Sequence, residues 1–238
     1  MPNPYFKFKR FTVYHDRCAM KVGTDGVLLG AWADMKDARL VLDVGTGSGL
    51  ISLMLAQRNP MARIAGIEID EDAAAQANEN YMASPFRNVD ECRHISLQDF
   101  YKENGSVKFD AVVTNPPFFS CSLKSPDRQR TKARHSDSLL IEELMEISSK
   151  MLSFNGKISF IFPADEKDYL LSLALFNGLY VSRLTKVYPT PDMQCKRLLL
   201  EFSKEESETV ESELIIETSR HRYSDEFIEM VKDFYLNY

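Results

Sequence analysis

The sequence contains few cysteines, and none of them has the spacing of a metal centre. The four cysteines, Cys18, Cys92, Cys121 and Cys195, are scattered over 238 residues and never form a Cys-x-x-Cys pair. This distribution argues against a zinc site and against a disulfide framework, so we predict no metal and a reducing compartment. A chain of this length can bury a full apolar core without such crosslinks.

Long apolar runs, internal repeats and low-complexity linkers are also missing. No run of about 18 apolar residues could cross a membrane, and residues 1–10 lack the apolar core of a signal peptide. We therefore expect a cytoplasmic protein with no membrane partner. We expect one domain spanning residues 1–238, with 1–39 as an N-terminal lid or extension, in a monomer.

The net charge of −6 does not by itself favour a polyanionic partner. The average conceals an asymmetry, because Lys124 to Arg134 holds five basic residues and one acid, whereas acids dominate residues 201–217. Local patches therefore say more about binding partners than the mean charge does.

From about residue 40, apolar runs typical of buried strands alternate with helical patterns. The predicted strands are 40–44, 63–69, 92–97, 109–114, 157–162, 180–188 and 197–203, with 213–218 as a further short candidate. The predicted helices are 48–59, 70–82, 138–152, 165–176 and 225–235. This alternation predicts an α/β fold, a doubly wound and mostly parallel seven-stranded sheet of the Rossmann-like type, with helices on both faces.

A glycine-rich turn, Asp43-Val44-Gly45-Thr46-Gly47-Ser48-Gly49, joins the first strand to the first helix. The dinucleotide fingerprint would place its third glycine at position 50, which is Leu50 here. Asp43 would repel a pyrophosphate but can bind the ammonium of a methionyl group, directly or through water. Glu68 stands where a carboxylate receives two ribose hydroxyls, and Asp99 is placed to accept from an adenine amino group. These features predict S-adenosylmethionine as cofactor; the plainer alternative is a tight turn with solvated acids.

Asn115-Pro116-Pro117-Phe118 follows the fourth strand, and its composition suits methylation of a planar exocyclic amine. Such a nitrogen must become more nearly tetrahedral to attack a methyl sulfonium. The Asn115 side-chain oxygen and the Pro116 carbonyl can hold its two N–H groups in that geometry. The prolines stiffen the backbone, and Phe118 offers a stacking face to a base that has left its own stack. The alternative is a rigid proline turn with aromatic packing.

Together these motifs resemble the amino-methyltransferases that share Asn/Asp-Pro-Pro-Tyr/Phe, which include adenine-N6, guanine-N2 and glutamine-N5 enzymes. More narrowly, Met20–Trp32 (MKVGTDGVLLGAW), the strings DVGTGSGL, GIEID and NPPFF, and Ala133–His135 resemble the bacterial tRNA1(Val) (adenine37-N6)-methyltransferase family. The resemblance covers nearly the whole chain. It implies the fold predicted above, a tRNA substrate and a modified adenine beside the anticodon.

The resemblance also implies that residues 1–39, here called the N-terminal block, lie close to the cofactor. In related enzymes the segment before the first strand covers the cofactor, which would put Lys21, Thr24 and Asp25 near the methionyl end or Asn115. By itself the apolar stripe after Gly26 is more typical of core. The predicted cofactor-binding residues are Lys21, Thr24, Asp43, Gly45, Thr46, Gly47, Gly49, Glu68, Ile69, Asp99 and Asn115.

The basic segment after the catalytic turn is predicted to contact RNA phosphates and to order over a flipped base. The predicted catalytic residues are Asn115, Pro116, Pro117 and Phe118. The predicted substrate-binding residues are Phe118, Phe119, Lys124, Arg128, Arg130, Lys132, Arg134 and His135.

Three alternatives remain at this point. Within the methyltransferases, the target could be guanine N2 in rRNA or tRNA, or glutamine N5 in a protein. A catalytically silent RNA-binding protein would be expected to show decay in the glycine turn or at Asn115, and neither shows it. A nicotinamide-dependent dehydrogenase is disfavoured by Leu50.

Overall fold

The computed structural model describes residues 3–117 and 140–237. The strands in these ranges are β1 (Tyr5–Lys7), β2 (Thr12–Tyr14), β3 (Leu40–Val44), β4 (Arg63–Glu68), β5 (Arg93–His94), β6 (Phe109–Thr114), β7 (Leu152–Pro163), β8 (Tyr180–Tyr188), β9 (Arg197–Ser203), β10 (Val210–Ile215), β11 (Glu217–Ser219) and β12 (Arg222–Tyr223). The helices are α1 (Thr24–Trp32), α2 (Leu50–Arg58), α3 (Glu71–Ala83), α4 (Leu97–Asn104), α5 (Ile141–Met151), α6 (Lys167–Phe176) and α7 (Asp225–Val231), with a 3-10 turn at Ala164–Glu166.

The central sheet has eight strands in the order β10-β8-β9-β7-β6-β3-β4-β5. All neighbouring strands run parallel except β9, which is antiparallel to both β7 and β8. The predicted doubly wound, mostly parallel α/β fold is therefore confirmed. The sheet has one strand more than the predicted seven, because Val210–Ile215 adds to the edge beside β8.

Successive residues of the central strands enter opposite cores, as the period of two in a strand requires. Val41 and Val113 belong to the core under α1, α2, α3 and α7. Leu42 and Val112 belong to the core under α4, α5 and α6. Both faces are apolar, which explains why these strands are continuous apolar runs rather than alternating ones.

The predicted strand 92–97 is wrong over most of its length. Only Arg93–His94 pairs with β4, and helix α4 begins at Leu97. The Ser96 hydroxyl accepts a hydrogen bond from the Asp99 N–H at 3.1 Å, so a helix N-cap forms where the sequence predicted the strand end. The sequence prediction missed α4 altogether.

The two ends of the chain pack together. The β1–β2 hairpin was not predicted; its Lys9 N–H donates to the Phe234 carbonyl at 2.7 Å. Phe8 stacks on Tyr235 with ring centroids 5.9 Å apart. The predicted helix 225–235 ends at Val231 and continues as turns. The C-terminal segment thus fixes the hairpin at the start of the N-terminal block.

Helix α1 lies within the core, as the apolar stripe of its sequence predicted. Val27, Leu28 and Leu29 are fully buried, and the Trp32 indole donates to the Thr185 hydroxyl at 2.9 Å. In the described ranges, none of the helices combines the length and apolar character needed to cross a bilayer.

Candidate active site

A cavity of about 650 Å³ opens where the parallel strands β3, β4 and β6 end. This edge is where ligands bind in open α/β sheets. Its walls come from the N-terminal block, the glycine turn, the ends of β4 and β6 and the start of α4. The lining residues fall in the ranges 18–26, 44–48, 50–51, 67–70, 95–98 and 114–117, with Ala73.

The glycine turn forms one wall because its backbone adopts the left-handed conformation three times. Gly45, Gly47 and Gly49 have φ values of 69°, 54° and 80°. A Cβ at Gly49 would lie 2.5 Å from the Tyr81 ring, so this position excludes every other residue. At Gly45 and Gly47 a Cβ would meet nothing within 4 Å, which leaves open space beside the backbone of the turn.

Asp43 is fully buried next to this turn and holds it in place. Its Oδ2 accepts from the Thr46 hydroxyl at 2.6 Å, from the Ser52 hydroxyl at 2.6 Å and from the Ser52 N–H at 3.1 Å. Its Oδ1 has no hydrogen-bond partner among the described residues. Burial raises the pKa of the Asp43 carboxyl to about 6, against the opposing effect of these hydrogen bonds.

Glu68 ends β4 and lines the cavity. Its Oε2 accepts from the Gly47 N–H at 2.8 Å, and its Oε1 accepts from the N–H groups of Ile69 and Asp70 at 2.8 and 3.0 Å. These bonds orient the carboxylate and tie β4 to the glycine turn. A carboxylate has about four acceptor sites, so capacity remains for a ligand hydroxyl.

Asn115 follows β6, and Thr114 anchors it by donating its hydroxyl to the Val44 carbonyl at 2.9 Å. The Asn115 Nδ2 lies 3.9 Å from the Met20 sulfur, so the amide contacts the N-terminal block. The Asn115 Oδ1 is buried and has no partner among the described residues. An unsatisfied acceptor of this kind is costly, which points to a ligand donor.

The comparisons with known proteins agree with this geometry. A family model described as "Methyltransferase small domain" matches residues 20–169. A tRNA1(Val) (adenine(37)-N6)-methyltransferase of Phocaeicola vulgatus is 51% identical over 237 residues, covering 100% of both chains. One of Parabacteroides distasonis is 48% identical, covering 99% of both. The chain belongs to the tRNA1(Val) (adenine(37)-N6)-methyltransferase family.

Solved structures give the same fold. A predicted O-methyltransferase from Agrobacterium tumefaciens superposes with a TM-score of 0.66 at 20% identity, over 88% of this chain and 96% of that one. A putative RNA methyltransferase from Pyrococcus horikoshii gives 0.53 at 16% identity, over 75% and 81%. Likeness at this level of identity concerns the fold alone.

S-adenosylmethionine is the cofactor of this family member, and the cavity suits it. Asp43, whose Oδ1 has no partner among the described residues, places a negative charge behind the glycine turn that suits an ammonium, and the oriented Glu68 carboxylate has room to accept a ribose hydroxyl. The open space beside Gly45 and Gly47 admits a ligand close to the backbone. In the described ranges, no group of three metal-ligating side chains occurs.

Two predicted cofactor residues have a different place in the structure. Asp99 does not line the cavity, because it lies in the first turn of α4, where its side chain accepts from Ser96 and pairs with Lys102 at 2.6 Å. Leu97 and Gln98 line that wall instead. Asp43 also lies behind the residues that line the cavity. The glycine turn therefore separates its carboxylate from a methionyl group in the cavity.

The other predicted cofactor residues meet at the cavity, apart from Gly49, whose tight contact with Tyr81 lies directly behind it. The lining includes Lys21, Thr24, Gly45, Thr46, Gly47, Glu68, Ile69 and Asn115. Pro116 and Pro117 line it as well. Asp25 is held by an ion pair with Arg197 at 2.8 Å. The predicted residues Phe118, Phe119, Lys124, Arg128, Arg130, Lys132, Arg134 and His135 lie outside the described residues.

The sequence analysis missed the side chains that hold the N-terminal block over the cavity. Asn80 on α3 is fully buried; it accepts from the Tyr14 N–H at 2.9 Å and donates to the Tyr14 and Ser48 carbonyls, both at 2.8 Å. One turn earlier, Gln76 accepts from the Arg17 N–H at 2.8 Å. The sequence shows only that two amides stand four residues apart in an alanine-rich helix, which does not identify their partners.

The His15 side chain connects separate parts of the N-terminal block. Its Nδ1 accepts from the Val22 N–H at 3.3 Å, and its Nε2 contacts the Asn3 carbonyl at 3.0 Å. The two ends of the segment 15–22 are thus joined through one buried ring.

Replacing Asn80 with alanine is expected to weaken cofactor binding by at least about tenfold and to lower the free energy of unfolding by about 3 kcal/mol. The substitution leaves the Tyr14 and Ser48 backbone groups unsatisfied at a cost of about 1–3 kcal/mol each, and it disconnects the N-terminal block from the glycine turn. Calorimetry with S-adenosylhomocysteine and chemical unfolding measure the two effects.

Asn78→Ala is the matched control, because Asn78 makes a similar pair of bonds to the Cys92 backbone, at 2.6 and 3.0 Å, away from the cavity. This variant should lose stability without a comparable loss of affinity. Equal losses of affinity in the two variants would contradict the coupling assigned to Asn80.

Proposed function

We propose that the chain transfers a methyl group from S-adenosylmethionine to the exocyclic N6 of adenine 37 in tRNA1(Val). The names of full-length relatives at 42–51% identity support the substrate. The observation that carries the chemistry is the buried Asn115 Oδ1, which has no partner among residues 3–117 and 140–237 and lies next to Pro116 at the cavity wall.

S-adenosylmethionine supplies an electrophilic methyl group on a sulfonium. The chain's task is then to hold the amine nitrogen so that its lone pair points at that methyl. The Asn115 Oδ1 and the Pro116 carbonyl accept the two N–H groups and favour the tetrahedral geometry over the planar one. No strong general base is required, because the proton becomes acidic only after methyl transfer.

We infer the remaining roles from the lining of the cavity and from the sequence motifs. Glu68 accepts a ribose hydroxyl, the wall at Leu97 and Gln98 contacts the adenine, and Asp43 compensates the ammonium through the glycine turn. Phe118 and Phe119 stack on the flipped base. The basic residues from Lys124 to His135 bind phosphates.

Guanine N2 and glutamine N5 remain the competing targets, since the same acceptor pair suits any conjugated amine. Labelled S-adenosylmethionine is offered with an unmodified tRNA1(Val) transcript, with the same transcript carrying guanine at position 37, and with rRNA and protein pools. Label as N6-methyladenosine in the first transcript alone supports the proposal. Label in guanosine or protein rejects the adenine target while leaving the chemistry at Asn115 intact.

Asn115→Ala should lower turnover by about a hundredfold to a thousandfold, because loss of one hydrogen-bonding group that acts in the transition state costs about 2.7–4 kcal/mol. Binding of S-adenosylhomocysteine should stay within about threefold of the unaltered protein. Asn115→Asp, which keeps an oxygen at the same position, should retain more activity than the alanine variant. Parallel losses of turnover and cofactor affinity in Asn115→Ala would remove Asn115 from the catalytic role.

Cofactor affinity should rise with pH through about 6 and level off above it. Burial raises the pKa of Asp43 to about 6, and a nearby ammonium favours the ionised carboxylate. Binding is therefore weaker where that carboxylate is protonated. We expect about a tenfold gain in S-adenosylhomocysteine affinity between pH 5 and pH 7, measured by calorimetry.

Two variants isolate this effect. Asp43→Asn should bind weakly at both pH values and show no gain. His94→Gln removes the histidine that contacts the Ile69 carbonyl at 3.0 Å and should keep the full gain. A gain that persists in Asp43→Asn would contradict the role assigned to the Asp43 carboxyl.

The same carboxyl affects folding with the opposite sign. Because its pKa is higher in the folded chain than in the unfolded one, its contribution to stability is present below about pH 4 and is lost as pH rises towards 6.

A further inference from the structure

The β11–β12 ribbon carries two arginines on either side of His221 at its turn. Arg220, His221 and Arg222 are all exposed. Within the described ranges, no hydrogen bond or ion pair engages the side chain of Arg220 or Arg222. Many other arginines of the chain are engaged, for example Arg183 with Glu201 at 2.9 Å.

The ribbon follows β10 on the side of the sheet where the parallel strands end and the cavity opens. β10 runs parallel to β8, and the chain continues past the end of β8: the N–H groups of Ile216 and Glu217 donate to the Tyr188 and Pro189 carbonyls at 2.8 and 2.9 Å. Four strand spacings separate β10 from β6, which ends at the catalytic turn. At about 4.8 Å each, they amount to roughly 19 Å.

The backbone of the ribbon is fixed although its arginines lie in solvent. The His221 N–H donates to the Glu217 carboxylate at 3.3 Å, and His221 has a φ of 64°. Tyr223 stacks on Phe227 with centroids 5.0 Å apart. A binding group on such a scaffold loses less conformational entropy than one on a free loop.

Charges of both signs lie along this end of the sheet, and the basic side chains at the tip of the ribbon are the ones that suit a polyanion. Exposed Lys21 lies at the cavity, and exposed Lys196 precedes β9 beside the end of β8. Exposed acids are present too, Asp192 in the same turn and Glu213 on β10. The tip of the ribbon at residues 220–222 is basic, with Glu217 in β11 and exposed Asp225 and Glu226 at the start of α7 as its nearest acids in the sequence.

We propose that the β11–β12 ribbon is a second contact for the RNA substrate, in which Arg220 and Arg222 bind backbone phosphates. The contact lies roughly 19 Å from the strand that ends at the catalytic turn, so the phosphates that it binds are several nucleotides away from the target base. This inference rests on the proposed tRNA substrate.

The test is tRNA binding over a series of salt concentrations by Arg220→Glu/Arg222→Glu. Affinity should fall at least about tenfold at low salt, and the slope of log K against log salt should decrease by about two. The affinity for S-adenosylhomocysteine should not change, which shows that the cavity is intact. Arg220→Lys/Arg222→Lys should keep most of the affinity and the slope.

Lys36→Glu/Arg39→Glu is the control of equal charge, because both residues are exposed and precede β3 at the opposite edge of the sheet. Its slope should match that of the unaltered protein. Equal changes in the two charge-reversed variants, or an unchanged slope in the ribbon variant, would overturn the contact while leaving the proposed function standing. Failure of the unaltered protein to bind or methylate tRNA, with cofactor bound, would overturn the proposed function and the contact with it.

Discussion

The buried amide of Asn80 is the interaction on which the rest of the site depends. It pairs with the Tyr14 backbone as a neighbouring strand would, and it also donates to Ser48 in the glycine turn. The N-terminal block has no strand of its own in the central sheet, since β1 and β2 pair only with each other. Without side-chain partners on α3, one wall of the cavity would have little to fix it against the other.

The same helix also sets the shape of the glycine turn. Tyr81 follows Asn80 and places its buried hydroxyl 2.9 Å from that of Thr46, which in turn donates to Asp43. The Tyr81 ring fills the space beside Gly49, and its hydroxyl lies where a Cβ of Gly66 would be. Two glycines are therefore required by the packing of one tyrosine, as well as by any ligand. Burial also raises the pKa of the Tyr81 hydroxyl well above its usual value, so this side chain is a neutral partner at every working pH.

The fold could be predicted where a segment is buried on both faces. Leu40–Val44 and Phe109–Thr114 are apolar runs bounded by turn residues, and each was predicted within a residue of its observed bounds. The three-residue strands β1 and β2 could not be predicted because they are too short to show a period, and the two-residue strand β5 was predicted too long. Asp99 was misplaced for a related reason. Ser96 caps a helix there, and a serine followed three residues later by an acid fits either a strand end or a helix start.

The parts of the site that could be predicted are those formed by neighbouring residues of a recognisable sequence motif. Asn115-Pro116-Pro117 and Glu68 line the cavity as the motifs implied. Asn80 and Gln76 act through backbone groups 32 to 66 residues away in sequence, and no local pattern specifies such partners. Two buried oxygens, Oδ1 of Asp43 and Oδ1 of Asn115, belong to residues of the sequence motifs and have no hydrogen-bond partner among the described residues. A folded chain retains an unsatisfied buried acceptor only at a cost, so the Asn115 oxygen at the cavity wall and the Asp43 oxygen behind the glycine turn are best explained by a ligand that brings N–H donors or positive charge close to both. An ammonium and an amine are such donors, and a methionyl nucleoside and an exocyclic nitrogen supply one each.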